Sequence, residues 1–303
     1  MIKAIVPGSL MICGEHAVVY GQSALVCAVA QYVCVGITKR SDNILRINSA
    51  LAQYEAPLSA LKEEPKLRFV LAAVRRQLPY TGLDMVIESE IDPLLGFGSS
   101  AAVTVATLAA LSAVRKKEMD NAALHRAAHE VILEIQKRGS GADLAASIWG
   151  GMLAYSPPPA LSVQSLPLPS LSLSVRYAGY KTPTAEVLAT LAAAAKEKPD
   201  AYAELYQRMG AVSQAAAHAA AQQNWQLFYQ HLNAYQMLMQ ELGVCDAVQA
   251  AHLAAVQDCA VAAKISGSGL GDCIIAFAER TPAQHQAVQI AAQGLRIIRN
   301  EYG

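Results

Sequence analysis

The sequence predicts a two-lobed protein of the α+β class. Its 303 residues exceed one ordinary domain, which has roughly 100–200 residues. Patterns typical of strands and of helices occur in both halves, and a proline-rich stretch at residues 157–169 separates them. Hydrophobic residues make up 53% of the chain and charged residues 16%, which is enough apolar material for two cores. We therefore expect one lobe at residues 1–156 and another at residues 170–303.

The first half begins with strands and continues into helices. Runs that are rich in valine and isoleucine, or that alternate apolar with polar residues, predict strands at residues 4–6, 10–13, 32–38 and 83–89. Pro7-Gly8 is expected to form a turn between the first two strands. Residues 99–117 are alanine-rich, begin with two serines and end in Arg-Lys-Lys, which predicts a buried helix. A second helix is expected at residues 121–136, before the sequence GSGA.

The second half predicts mainly helices with a few strands. Helices are expected at residues 185–196, 201–222, 224–242 and 246–258, where alanine and other helix formers dominate. Strands are expected at residues 171–177, 261–266 and 273–278. A last helix from residue 282 and a strand at residues 295–299 complete the prediction.

Charge and cysteine usage exclude several classes of protein. Lysine plus arginine equals aspartate plus glutamate at 24 each, so net charge indicates neither a nucleic acid nor a membrane as partner. The six cysteines form no CxxC pair, which argues against a zinc site or a disulfide framework and for reduced thiols. The apolar stretch at residues 23–35 is too short to span a bilayer. A cytoplasmic location is therefore expected.

The sequence PLLGFGSSAA at residues 93–102 predicts a phosphate-binding loop. Gly96 and Gly98 allow a close approach of the backbone to a ligand, and a helix begins at the serines that follow. The free N–H groups of that helix would point into the loop, where they and the helix dipole attract an anion. An ordinary glycine turn capped by serine is the alternative.

Two further glycine-containing segments are candidates for phosphate binding and for acid–base catalysis. In KISGSGLGDC, at residues 264–273, glycines at every second position lie between two predicted strands, which fits either a second wall of a phosphate site or a simple hairpin loop. In GSGAD, Asp143 follows a tight loop at the start of a helix, as a general base or as a helix cap would.

The sequence GEHAVVYG interrupts an apolar region with polar side chains. Glu15, His16 and Tyr20 would need partners if they are buried, so together they indicate a polar pocket. The alternative is that Glu15 and His16 pair only with each other and with the backbone. His16 is not expected to bind a metal, since no second histidine or cysteine lies at ligand spacing.

In this order, the four segments resemble those of the GHMP kinases, a family of ATP-dependent small-molecule kinases. PLLGFGSSAA is similar to the family's ATP loop, KISGSGLGDC to its C-terminal glycine loop, and PGSLMICGEHAVVYG to the N-terminal motif of members that phosphorylate mevalonate. The resemblance implies a first lobe like domain 2 of ribosomal protein S5 and a ferredoxin-like second lobe. It also implies ATP and Mg²⁺ as cofactors and a small molecule as acceptor.

The resemblance also implies a role for each motif residue. Asp143 takes the catalytic position, Ser100 binds the metal together with Glu134 or Glu130, and Glu15 and His16 bind substrate. Lys137 and Arg138 are further candidates for substrate binding. The residues expected to bind ATP phosphates are Gly96, Gly98, Ser99, Ser100, Ala101, Gly267, Ser268 and Gly269.

Three departures from the family pattern leave the acceptor open. Ser9 stands where a lysine is usual, and Leu95 stands where a glycine is expected. The Lys-Arg pair before GSGAD and the aspartate before Cys273 resemble members that phosphorylate phosphomevalonate. We expect mevalonate as acceptor, with phosphomevalonate or a catalytically inactive ligand-binding protein as alternatives. The residues considered as replacements for the missing charge are Lys3, Lys137, Arg138 and Lys264. A homodimer is one assembly state that the prediction leaves open.

Overall fold

A computed structural model describes residues 1–299 and confirms the α+β class. The first lobe is built on an eight-stranded sheet with the strand order β12-β1-β2-β5-β3-β4, in which β6 pairs with both β2 and β7. Only the β3–β5 pair is parallel among the described strands. The strands are β1 (Ile2–Cys13), β2 (Ala24–Lys39), β3 (Ile44–Ser49), β4 (Gln53–Pro57), β5 (Leu83–Ser89), β6 (Met152–Ser156), β7 (Ser162–Leu166) and β12 (Arg296–Arg299).

Four helices cover one face of this sheet. They are α1 (Arg68–Arg76), α2 (Ser99–Val114), α3 (Asn121–Gln136) and α4 (Ala142–Trp149). Helix α2 is buried almost all round because its small alanine side chains let β1, β2, α1 and α3 approach it closely. Its N-terminus emerges at the inner end of the sheet, so it points towards the second lobe.

The second lobe combines a four-stranded antiparallel sheet with four helices. Its sheet has the order β11-β8-β10-β9. The elements are β8 (Ser172–Lys181), α5 (Thr184–Glu197), α6 (Pro199–Ala221), α7 (Trp225–Glu241), α8 (Ala247–Ala254), β9 (Ala262–Ser266), β10 (Gly271–Ala278) and β11 (Gln286–Ala287). Every residue of β10 is buried, which matches the apolar run at residues 273–278.

The predicted turn at Pro7-Gly8 is wrong, because β1 is one continuous strand. Its register against β2 shifts between Pro7 and Gly8, so the irregularity is a bulge and not a reversal. At the bulge the Ser9 N–H donates to the carbonyl oxygen of Phe97 at 3.1 Å. A Cβ on Gly8 would lie only 2.6 Å from that same oxygen. The dipeptide therefore allows β1 to contact the loop that precedes α2.

The chain end departs from the predicted lobe at residues 170–303. No helix follows residue 282 among the described residues, and β12 leaves the second lobe to pair with the edge of β1, with Ile2 opposite Arg299. An unpaired edge strand exposes N–H and C=O groups that a returning segment satisfies. Residues 300–303 lie outside the described part of the chain.

Several elements were not predicted at all: α1, β3, β4, β6 and β7. Their apolar runs are short and lie among polar residues, so their sequence signal is weak. Within residues 1–299 no helix combines the length and the apolar character needed to cross a bilayer.

Candidate active site

A cleft of about 850 Å³ lies between the lobes and gathers residues from all four motifs. The glycine-serine loop and α4 contribute one wall, and the loop between β9 and β10 contributes the opposite one. The predicted site residues that line the cleft are Glu15, His16, Gly96, Gly98, Ser99, Ser100, Ala101, Lys137, Arg138, Asp143, Gly267 and Ser268. Motifs that are up to 250 residues apart in sequence thus meet at one place.

The loop before α2 has the backbone that an anion site needs. Gly96 and Gly98 have φ angles of 66° and 62°, a region that side chains disfavour. Gly98 is the N-cap of α2, and no side chain caps the helix, so the first N–H groups stay available to a ligand. The Ser99 side chain is exposed and the Ser100 side chain half-buried at the cleft wall. This arrangement suits a phosphate group.

Asp143 lies in the first turn of α4 and opens onto the cleft. The Ser9 hydroxyl donates to its Oδ1 at 2.7 Å, which joins β1 to α4. The carboxyl tip is accessible, yet protein atoms surround it on the cleft floor, and this desolvation raises the pKa of Asp143 above its ordinary value. The Ser9 hydrogen bond and the charge of Lys181 act in the opposite direction, towards a lower pKa.

Asp272 is a site residue for which the sequence gave only a family-level hint. Its carboxylate lies between the two glycine loops, because a Cβ on Gly96 would be 2.9 Å from one of its oxygens and a Cβ on Gly267 would be 2.5 Å from the other. Its φ angle of 66° is unusual for a residue with a side chain. Burial raises the pKa of Asp272, and Lys181 opposes that shift. Glycine at positions 96 and 267 thus makes room for this carboxylate.

Lys181, at the end of β8, brings a positive charge that the sequence analysis missed. Its Nζ lies 3.1 Å from Asp272 Oδ1, and it lines the cleft. Its charge also lowers the pKa of Asp143. Among the four lysines and arginines considered as replacements for a lysine at position 9, Lys3 does not line the cleft and Lys264 is buried in another ion pair. Only the three-dimensional contact between β8 and β10 indicates that Lys181 belongs to the site.

Glu15 and His16 lie at the cleft, but Glu15 is held mainly by protein groups. Lys264 Nζ donates to Glu15 Oε1 at 2.5 Å, and the Tyr235 hydroxyl donates to the Glu15 carbonyl oxygen at 2.7 Å. His16 Nε2 donates to the Ser268 carbonyl oxygen at 2.9 Å. Glu15 Oε2 and His16 Nδ1 are buried without a hydrogen-bond partner among the described residues. These two atoms remain available to a ligand.

Burial also sets the charge of His16. Desolvation, together with the nearby Lys264, lowers the pKa of His16 to about 4. The imidazole is therefore neutral at pH 7, with its proton on Nε2 and its Nδ1 as a hydrogen-bond acceptor. A ligand hydroxyl can donate to that nitrogen.

The predictions for Glu134 and Gly269 are wrong. Glu134 and its alternative Glu130 both bind Arg76 on the outer side of α3, at 3.1 and 2.5 Å. The face of α3 that lines the cleft carries Ile132, Ile135 and Gln136 instead. A helix turns about 100° per residue, so carboxylates at other positions face away from the cleft. Gly269 does not line the cleft, and a Cβ there would lie 2.3 Å from the Val244 carbonyl oxygen.

The oxygen atoms around the cleft fit a magnesium ion. No group of three or more histidine, cysteine, aspartate or glutamate side chains placed to hold a metal ion occurs in residues 1–299. The Ser100 hydroxyl and the carboxylates of Asp143 and Asp272 are hard oxygen donors on the cleft walls. Mg²⁺ binds in this way, through one or two carboxylates, with the remaining ligands from phosphates and water.

Known proteins match the chain along nearly its whole length. Residues 66–151 match the family model of the GHMP kinases N terminal domain, and residues 216–295 match that of the GHMP kinases C terminal. A mevalonate kinase of Archaeoglobus fulgidus is 31% identical over 300 residues, which cover 97% of this chain and 99% of that protein. A mevalonate kinase of Thermococcus sibiricus is 28% identical, with 98% and 95% covered. The solved structure of a Lin0012 protein from Listeria innocua superposes with a TM-score of 0.86 at 23% identity, with 99% of each chain covered.

Proposed function

The chain belongs to the GHMP kinase family, and from this premise we propose that it transfers the γ-phosphoryl group of ATP to a hydroxyl group of mevalonate. As a family member it is a small-molecule kinase with the α+β fold expected from the resemblance. The observation that supports the acceptor is the similarity to mevalonate kinases over nearly the full length of both chains. The cleft supports the reaction, because an anion site, a carboxylate and a cation lie around one space.

ATP phosphates are proposed to bind at the N-terminus of α2. The uncapped amides after Gly98 would hold the phosphate oxygens, and the serine hydroxyls at positions 99 and 100 would add donors. Gly267 and Ser268 would approach from the opposite wall. Enzymatic phosphoryl transfer depends mainly on such positioning and charge stabilisation, since the protein itself does little covalent chemistry.

Ser100 and Asp272 are proposed to hold Mg²⁺ together with the phosphates. A bound magnesium ion would neutralise charge on the β- and γ-phosphates. The residues of this chain contribute the oxygen donors and the geometry of the walls. Asp272 takes the place that Glu134 was expected to fill, since no α3 carboxylate faces the cleft.

Asp143 is proposed to accept the proton of the acceptor hydroxyl. Its raised pKa brings the carboxylate closer to the basicity that a general base needs. The Ser9 hydroxyl at 2.7 Å from Oδ1 fixes the rotamer and leaves Oδ2 for the acceptor. Glu15 Oε2 and His16 Nδ1, the two unpartnered buried atoms, would bind polar groups of the acceptor.

Lys181 is proposed to supply the positive charge that Ser9 does not. It lies on the second lobe, whereas position 9 lies on the first, yet both face Asp143. An ammonium group beside two carboxylates and a triphosphate stabilises the negative charge that spreads over the transferred group. The same charge lowers the pKa of Asp143 and of Asp272, against the desolvation that raises both.

Phosphomevalonate remains a second candidate because Lys137 and Arg138 line the cleft. Both are engaged by backbone oxygens, since Lys137 Nζ donates to the Glu134 carbonyl at 2.9 Å and Arg138 donates to that of Leu188 at 3.5 Å. Gripping a second phosphate would require them to leave those partners, which favours mevalonate. The ionisable Asp143 and the intact loops argue against a catalytically inactive protein.

A coupled ADP-release assay tests this proposal. The purified chain is offered ATP and Mg²⁺ with mevalonate, phosphomevalonate, homoserine or galactose. Turnover with mevalonate is expected, and turnover with phosphomevalonate alone would replace the acceptor but keep the kinase. Absence of turnover with all four would overturn the proposal. A cytoplasmic location is also proposed because all six cysteines are free, and a homodimer stays a prediction for sedimentation velocity to test.

A further inference from the structure

Three side chains that do not line the cleft donate hydrogen bonds to the loop that precedes Asp143. Residues 139–141 form this loop, and each of their three consecutive carbonyl oxygens accepts a hydrogen bond from a side chain. His129 Nε2 donates to the first at 2.7 Å, the Tyr155 hydroxyl to the second at 2.6 Å, and His125 Nε2 to the third at 2.9 Å. We call these three side chains the loop clamp. Each peptide unit of the loop is thus fixed separately.

The clamp residues lie on regular elements, where His125 and Tyr155 are buried and His129 is half-buried. His125 and His129 are one turn apart on α3, and Tyr155 lies on β6. His125 is 0% exposed and Tyr155 is 1% exposed. The Tyr155 hydroxyl also lies 3.4 Å from His125 Nε2, so the two donors touch each other. Donors that are locked by packing on regular elements fix a site more precisely than donors on loops do.

The loop has little rigidity of its own. Gly139 and Gly141 have φ angles of 158° and 82°, and glycine backbone is permissive. A Cβ on Gly141 would lie 2.8 Å from the Tyr155 hydroxyl and 3.0 Å from the His125 ring, so glycine is what lets the clamp approach. Buried carbonyl groups require donors. The clamp therefore provides the order that the loop sequence does not.

The loop determines where Asp143 lies. Gly141 is the N-cap of α4, and Asp143 is two residues further on, in the first turn. A shift of the loop would move that turn and stretch the 2.7 Å bond from Ser9 to Asp143. Loss of alignment by about 1 Å can cost a hundredfold in rate.

We propose that His125, His129 and Tyr155 are positioning residues that act through the 139–141 loop to hold Asp143 in line with the acceptor. This inference rests on the proposed role of Asp143 as the base. None of the three lines the cleft, so they act without touching the substrate. Since a carbonyl oxygen only accepts, both histidines must carry their proton on Nε2.

Tyr155→Phe is the central test, because it removes one donor and leaves the ring. We expect kcat with mevalonate to fall about 10–100-fold, while KM for ATP changes less than about threefold, since the α2 loop is untouched. Tyr54→Phe is the matched control: Tyr54 lies on β4, is 9% exposed, and its hydroxyl donates to the Lys62 carbonyl at 3.0 Å. The control should retain the wild-type kcat.

A second pair of variants keeps the test valid if Tyr155→Phe folds poorly. His129→Leu removes a donor, and His129→Gln keeps an amide donor on a side chain of similar reach. We expect the glutamine variant to retain clearly more kcat than the leucine variant. Nitrogen-15 spectra of histidine-labelled protein should show the Nε2–H form for both His125 and His129, and the Nδ1–H form at either would overturn the clamp.

A double-mutant cycle separates positioning from general stability. In the Asp143→Asn background, Tyr155→Phe should leave the residual rate unchanged, because both act on one step. Full additivity in that cycle, or a wild-type kcat in Tyr155→Phe, would overturn the clamp while wild-type turnover still upholds the kinase. No turnover by the wild type would overturn the proposed function and, with it, this inference.

Discussion

Replacing Lys181 by methionine tests the cation that the fold brings to the cleft. Methionine keeps a side chain of similar length but removes the charge 3.1 Å from Asp272. Asp272 and Asp143 would then face the phosphates of ATP without a compensating ammonium group. Both pKa values are already raised by burial and lowered by Lys181, so each should rise further in the variant.

We expect Lys181→Met to reduce kcat much more than it reduces the stability of the fold. Removing one preorganised charge-stabilising group typically costs about 10²–10³ in kcat, or roughly 3–4 kcal/mol in the barrier. The Lys181 side chain is 39% exposed, so solvent screens its ion pair, and such a pair contributes about 1 kcal/mol or less to folding. For a chain of this size the melting temperature should then change by about 2–4 °C or less.

The assay is steady-state ADP release with mevalonate, alongside calorimetric melting. Lys196→Met is the matched control, since Lys196 is an exposed residue near the end of α5 that does not line the cleft. Lys181→Arg should retain part of the activity because it keeps the charge. If Lys181→Met keeps kcat/KM within about threefold of the wild type, well short of the effect expected for a charge at the transition state, the role assigned to Lys181 is refuted.

Four further predictions concern the other cleft residues. Asp143→Asn should lower kcat by about 10²–10⁴-fold and raise the melting temperature at pH 7. The reason for the second effect is that the raised pKa means that the folded state binds the proton more tightly and loses stability as pH rises through that pKa. An unchanged kcat would refute the role of Asp143 as the base. In the wild type, the apparent pKa of the acid limb of the kcat/KM against pH profile should lie above the ordinary aspartate pKa of about 3.9. An apparent pKa at or below that value would refute the raised pKa of Asp143. Gly98→Val should abolish ATP binding in calorimetry and also lower kcat, because a Cβ there would lie 1.9 Å from the Ser9 hydroxyl; intact ATP affinity would move the nucleotide site elsewhere. Lys137→Ala/Arg138→Ala should leave KM for mevalonate within about threefold, since mevalonate carries no phosphate group for these two cations to bind, and a sharp rise in KM for phosphomevalonate would favour the second candidate.

Local sequence was sufficient to predict those helices and strands whose limits are set by neighbouring residues. The limits of α3 were predicted at residues 121–136 and observed at Asn121–Gln136, because the Asp120 side chain caps the first turn and the sequence GSGA ends the last. The helix after residue 98 and the strand at residues 83–89 were likewise predicted from capping and alternation. The short strands β3, β4, β6 and β7 were missed because pairing with neighbours, and not their own propensity, stabilises them.

The candidate site was only partly predictable for the same reason. Glycine loops and an aspartate after a tight loop carry local signals, and they identified most of the predicted site residues that line the cleft. The sequence does not indicate which way Glu134 faces, because the packing of α3 decides whether a helix position faces the cleft or the solvent. Glu15 was expected to bind substrate, or to pair only with His16 and the backbone, whereas Lys264, which is 249 residues away, binds it.

The sequence by itself determined the class of fold, the two glycine loops that line the cleft and Asp143, because each rests on residues within one turn or one strand of each other. Only the tertiary structure decided which charges surround that aspartate. Ser9 reaches Asp143 across 134 residues, and Lys181 reaches Asp272 across 91. Such contacts depend on how β1, α4, β8 and β10 pack together, and their energies come from burial and electrostatics that no local pattern records.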